Sequence, residues 1–376
     1  MKKVIIAAII VLTMISCRED EIIFPSSTIN VAIPRNEGNI EGFYLLNEGN
    51  MGMNRASIDL FNYRTGNYTT DIYSEQNPTV VKELGDVGND IKIYGNKVYA
   101  VINCSNKIEV MDKWTAKRIK VINVPNCRYM AFHEGKAYVS SYSGPVAIDP
   151  NAEIGFVAEI DTATLQITRK VTVGYQPEEM VIHDGKLYVA NSGGYRVPDY
   201  DRTVSVVDLE TFTEIKKIDV EVNLLRMAID KRGDIYVSSR GDYYYTPSNL
   251  FVIDSKTNKK TMQLDIPVME MCMVGDSLYY YSVEWSYLTN SNTITYGILD
   301  TKTKKVISDK IITDGTDKQI MIPYGLQVNP ETKEIYICDA QNYVVTGYLY
   351  CFSPDGKMKW RTLAGNIPGH FAFIYK

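Results

Sequence analysis

The sequence is poor in histidine and tryptophan, with three of each in 376 residues, and this scarcity limits its chemistry. No group of His, Cys and carboxylate has metal-site spacing, and GxSxG and Walker-type loops are missing. His133 and His183 occupy equivalent places in the segments HEGK and HDGK, which reads as a structural habit of a repeat. His370, in NIPGHFAF, is the one histidine placed to reach a binding face, as a base or as a satisfied structural residue. An enzyme is therefore disfavoured. Positive charge is not in excess either: 40 Lys+Arg against 45 Asp+Glu gives −5, which argues against a phosphate-binding face for nucleic acid. The N-terminal apolar run is too short to span a bilayer comfortably. Once Cys17 is set aside, five cysteines remain (Cys104, Cys127, Cys272, Cys338, Cys351), an odd number that leaves at least one outside any internal pairing. Buried thiols and disulfides both stay open.

What is present begins with an address. MKKVIIAAIIVLTMIS, residues 1–16, has the basic, apolar and small-residue order of a secretory signal, and it resembles a bacterial lipoprotein signal with Cys17 as the lipidated residue. Leucine is the commoner residue where Met14 stands. Arg18, Glu19, Asp20 and Glu21 resemble the surface-export signal of Bacteroidetes lipoproteins, which implies a lipid-anchored protein on the outer face of the outer membrane. Residues 17–40, rich in Pro, Ser and Asn beyond position 21, read as a tether, and residues 41–376 as one domain.

That domain is a repeat. A turn residue, an aliphatic residue, tyrosine and another apolar residue recur at Tyr44, Tyr99, Tyr138, Tyr188, Tyr236, Tyr279 and Tyr336. Each copy is followed by a second alternating run, such as KIEVMDKWTAK or TVSVVDLETFT, and preceded by a short apolar strand. Period-two alternation with Gly, Asn and Thr punctuation denotes antiparallel strands. Four strands per unit at this spacing predict an all-β fold, a seven-bladed β-propeller. The first unit has no inner strand of its own and the C-terminus supplies an orphan one. Pairing residues 370–376 with the first blade closes the ring.

With strands lettered A to D outward from the axis, the A-to-B loops are tight turns, whereas the B-to-C loops are long and varied. The predicted ligand face therefore gathers Tyr142, Tyr195, Arg196, Arg240, Asp242, Tyr243, Tyr244, Tyr245, Trp285, Tyr287 and Tyr343 from B-to-C loops. Arg128, Tyr175, Glu178, Tyr324 and His370 join them from D-to-A loops. Tyrosine and tryptophan give rigid area with a polar tip at low entropic cost; some of these rings are expected simply to pack their own loops. Arg196 and Arg240 have Asp199 and Asp242 as near neighbours for ion pairing. The acidic pairs Glu178 with Glu179 and Asp86 with Asp90 suit Ca²⁺ or sugar hydroxyls, or plain solvation.

The loops NEGNMG (47–52), ELGDVGNDI (83–91), PNCRY (125–129), SSYSGPVAIDPNA (140–152), GYQPEEM (174–180), YVANSGGY (188–195) and SSRGDYY (238–244) resemble the BtuG family of cobalamin-binding surface lipoproteins of gut Bacteroides. The likeness runs from about Gly42 to Lys376, and its strand repeat is shared with YncE-like propellers at large. It implies a non-enzymatic protein, with cobalamin (vitamin B12) or another corrinoid as ligand and no resident cofactor. A BtuB-like TonB-dependent transporter is the implied partner. Arg128, Arg196 or Arg240 are then expected at the ligand's phosphate. A surface glycan-binding propeller of a polysaccharide-uptake system, a propeller lyase or lactonase, and a docking scaffold are the competing readings.

Overall fold

The structure, a computed structural model, describes residues 26–80, 84–286 and 291–376. Seven antiparallel sheets stand around an axis, as the repeat predicts. Blades 2 to 7 have four strands each, starting with inner strands Gly88–Tyr94, Cys127–His133, Pro177–His183, Leu224–Ile229, Glu270–Val274 and Pro323–Val328. Blade 1 takes its inner strand from the far end of the chain. Pro368–Tyr375 pairs with Ile40–Asn47 in the register Tyr44↔Ala372, so two ends of the sequence lie in one sheet.

Why the repeat carries tyrosine is plain from the packing. Seven apolar clusters fill the seven spaces between adjacent blades, and the repeat tyrosine of each blade packs against the next one. Its hydroxyl reaches past the cluster to a polar partner in several of them: Tyr44 donates to the Lys113 carbonyl (3.0 Å), and Tyr236 to that of Thr301 (3.2 Å). A large apolar ring with one satisfied polar tip suits a site buried between two sheets.

Two segments differ from the sequence reading. Within the stretch read as tether, Thr28–Asn30 forms a fifth, outermost strand on blade 1, paired with Asn67–Thr69. Arg35 then reaches Glu334 of blade 7 at 3.0 Å and lies 4.1 Å from the Tyr63 ring centroid. In blade 6, most of YYSVEWSYLTNSNTIT is strand rather than loop: Ser277–Ser286 and Ser291–Asp300, ten residues each, pair without a break in register. The five described cysteines are all free thiols. Among the described residues no helix is long and apolar enough to cross a membrane.

Candidate ligand face

Each inner strand starts at one face of the ring and each A-to-B turn lies on the other. The turns of His133 and His183 pair tightly, His133↔Lys136 and His183↔Lys186, on the face opposite the long loops. Arg128, Glu178, Tyr324 and His370, expected in D-to-A loops, belong instead to the first residues of inner strands. The correction matters because an inner strand has a neighbour on one edge only. Its other edge faces the axis with unpaired backbone groups that need partners. Carboxylates from the adjacent blade supply some of them: Asp90 accepts from the Met130 N–H (2.9 Å) and Glu179 from the Met227 N–H (2.7 Å).

Three polar hubs result. Glu178 is fully buried, and it joins Arg128 (3.2 Å), the Tyr142 hydroxyl, Ser192 (3.4 Å) and Arg240 (3.5 Å), tying together loops of blades 3, 4 and 5. Burial alone would raise its pKa; Arg128 and Arg240 outweigh burial and hold the carboxyl below the ordinary glutamate value. On the axis, Arg226 bonds the Tyr129 hydroxyl (2.8 Å), Glu179 (3.3 Å) and Glu270 (2.7 Å). Burial pushes the Glu270 carboxyl up, and neighbouring Glu179 adds to this against the pull of Arg226. The third hub is Glu48, which accepts from the Tyr324 hydroxyl (2.8 Å) and faces His370 Nε2 at 2.9 Å. His370 is thus a satisfied structural residue of the closing strand. Tyr129 links the hubs, with Arg128, Arg226 and His370 at 5.8, 5.3 and 6.5 Å from its ring.

Over this floor stand the loops. The stretch GDYYYTPSN folds on itself: the Asp242 carboxylate accepts the N–H groups of Tyr244, Tyr245 and Thr246 at 2.7 to 2.9 Å. Gly241 has φ +68°, and a Cβ there would lie 1.9 Å from the Thr246 carbonyl oxygen, so only glycine lets the loop close. The result turns Tyr243, Tyr244 and Tyr245 outward, 61, 82 and 94 % exposed. Together with Arg240 and with Val268, Met269 and Val283 of blade 6 they border a pocket of about 420 Å³. Nothing in the loop's own folding needs three solvent-facing rings.

The other expected residues divide. Tyr142 is buried, its ring 4.7 Å from the Arg128 guanidinium and 6.3 Å from Tyr195. It packs the loop and is no surface platform. Arg196 lies 3.7 Å from the Tyr175 ring and donates to the backbone carbonyl of Asp199, while Arg240 bonds Asn223 and Glu178; neither makes the ion pair expected with Asp199 or Asp242. Tyr343 stands 6.1 Å from Tyr324 on the far side of the face. Trp285 pairs through its backbone with Asn292 in the blade 6 hairpin; Tyr287 and Cys17 lie outside the described residues. Glu178 and Glu179 hold arginines rather than a solvated cation, Asp86 accepts from the Gly52 N–H (2.8 Å), and no metal-binding cluster occurs among the described residues.

Arg226, Glu270, Glu48 and Asn223 were missed by sequence reasoning. A signal was there: VNLLRMAID and IPVMEMCMV place a charge inside an apolar inner strand, at the same repeat position as Tyr129 and Glu179.

Comparison with known proteins agrees on architecture. The profile of the DUF5074 family, described as a domain of unknown function, matches residues 41–354. No curated protein matches. Among solved structures, a hypothetical selenium-binding protein from Sulfolobus tokodaii is similar at TM-score 0.62 and 12 % identity, over 90 % of this chain and 94 % of its own. A quinonprotein alcohol dehydrogenase-like protein from Bacteroides thetaiotaomicron is similar at TM-score 0.56 and 16 % identity (90 % and 79 % covered). Apo AztD from Citrobacter koseri is similar at TM-score 0.54 and 10 % identity (89 % and 98 %). At such identities the likeness is one of fold, on which binders and enzymes alike are built.

Proposed function

We propose that this chain, which belongs to the DUF5074 family, is a non-enzymatic, BtuG-like receptor that captures cobalamin or a related corrinoid outside the cell. It would be anchored through a lipid on Cys17 to the outer face of the outer membrane, passing its ligand to a TonB-dependent transporter. The observation that carries the reading is the contrast between floor and loops. The charged floor is internally paired and fixed, whereas Tyr243, Tyr244 and Tyr245 are presented to solvent by a loop that holds itself rigid. A corrin is a wide amphipathic disc fringed with amides. Exposed phenols cover its apolar edge, and Asn, Ser and tyrosine hydroxyls bond its amides. Arg196 and Arg240, on the loop face, are the cations proposed to meet a nucleotide-loop phosphate. A scaffold already ordered loses little entropy on binding, which favours tight capture.

The course of the N-terminal strand supports the anchoring. Thr28 pairs with Thr69, the mid-blade end of an outer strand that runs toward the ligand face, so the chain enters blade 1 from the direction of that face. Ten residues, Arg18 to Ser27, separate Cys17 from it, a reach of at most about 35 Å. A lipid at Cys17 would thereby keep the ligand face close to the membrane and to any transporter in it.

Equilibrium dialysis of the mature chain against cyanocobalamin tests the reading, with a Tyr243/Tyr244/Tyr245→Ala variant alongside. Saturable one-to-one binding that weakens at least tenfold in the variant supports it. No uptake by the folded parent protein rejects it.

A further inference from the structure

The face opposite the long loops carries the A-to-B and C-to-D turns, and one C-to-D turn departs from the rest. In these turns an Asp or Asn accepts the N–H groups two and three residues on: Asn62, Asp112, Asp161 and Asp254 all do so. The residue two on is held outward by this geometry. It is Arg64, Ala163 and Lys256 in blades 1, 3 and 5, small or charged as a solvated turn requires. In blade 2 it is Trp114, 53 % exposed. The turn is folded by Asp112, so it does not need the indole.

Trp114 borders a cleft of about 560 Å³ between blades 1 and 2, a size proper to small-molecule sites. Leu60, Tyr44 and Ile374 give it an apolar side; Glu41, Asn62, Arg64 and Lys376 give it a polar one. The turn is braced in position. Tyr44 donates to the Lys113 carbonyl (3.0 Å), and the Lys113 ammonium donates to the Tyr375 carbonyl (3.0 Å) while lying 4.2 Å from the indole centroid. Arg64 and Glu41 form a guanidinium–carboxylate pair on the rim, and the Arg64 side chain remains 55 % exposed.

We propose that this cleft is a saccharide-binding subsite, separate from the loop face, in which a pyranose ring lies against Trp114 with its hydroxyls at Arg64, Glu41 and Lys376. A pyranose has an apolar face of C–H groups, which an aromatic face attracts. Its rim of hydroxyls both donates and accepts. A guanidinium beside a carboxylate offers donors and acceptors side by side, which matches vicinal diols. A flat aromatic ligand would meet the indole equally well but would leave the charged rim desolvated with too few partners. A protein partner needs about 800 Å² of contact per side, and beyond this one-ring hollow the face is made of tight charged turns.

The test is an array of printed neutral and uronate-bearing oligosaccharides probed with the mature chain, with Trp114→Ala and with the Tyr243/Tyr244/Tyr245→Ala variant. Vesicles carrying lipid-linked glycans form a second arm. Binding to a subset of printed saccharides that falls at least tenfold in Trp114→Ala and persists in the tyrosine variant is the expected result. Trp114 is exposed and its backbone is held by Asp112, so the variant keeps its fold, checked by an unchanged melting temperature. No printed saccharide bound above the Trp114→Ala control, or binding confined to vesicles, overturns the proposal. So does loss of binding in the tyrosine variant alone, which would move glycan recognition to the loop face.

Discussion

At the scale of single residues, the ligand face rests on buried charge. Glu178 holds two arginines with no access to water, and removing one member of such a group strands the others. Glu178→Gln is expected to lose about 3 kcal/mol of stability at neutral pH, measured by denaturant unfolding. The pH dependence has a definite sign. Because the folded-state pKa of Glu178 is depressed, its contribution is fully present above the ordinary glutamate value of 4.5 and is lost as pH falls through the folded value. The wild type is therefore expected to lose stability below pH 4.5 more steeply than the glutamine variant; parallel curves would contradict this assignment. Tyr243 is a different case. It occupies the left-handed region, φ 66°, where a bulky side chain is strained and glycine or asparagine is not. Tyr243→Asn is expected to raise or preserve the melting temperature while weakening ligand capture, as the role proposed for its exposed ring requires.

At the scale of elements, closure of the ring is the feature on which the rest depends. The strand Pro368–Tyr375 buries Phe371, Ala372, Phe373 and Ile374, and burying each large side chain contributes roughly 1.5 to 3 kcal/mol. Deleting residues 368–376 removes an amount comparable with the whole stability of a domain. The truncated chain is expected to lose its cooperative thermal transition, followed by circular dichroism. This closure was legible in the sequence, because a repeat that starts in mid-unit and ends with an unpaired strand admits one ring-closing solution. The blade 6 hairpin was not. Its outer half, SNTIT, is so polar that alternation gives no core face to detect, and only the partner strand reveals the pairing. The site was legible in outline and not in detail for a related reason. Loop length and aromatic content located the face, but whether a ring such as Tyr142 packs inward or a carboxylate such as Glu178 meets an arginine from an adjacent blade depends on contacts 36 to 62 residues apart.

At the scale of the whole molecule, the propeller has two unlike faces and one proposed point of attachment. The chain enters blade 1 from the direction of the ligand face, so tether length is expected to matter for transfer and not for capture. Inserting about twenty Gly/Ser residues before Ser26 should leave cyanocobalamin affinity of the purified protein unchanged. It should slow growth of cells limited for the vitamin, because the proposed anchor would no longer hold the face near the membrane. Equal growth would detach the anchoring geometry from the function. The central claim, that the long-loop face is where the ligand binds, is tested most directly by hydrogen–deuterium exchange of the mature chain with and without saturating cyanocobalamin. Protection is expected in residues 192–201 and 240–248, with the A-to-B turns unchanged. Protection confined to the opposite face, or none at all, would contradict it.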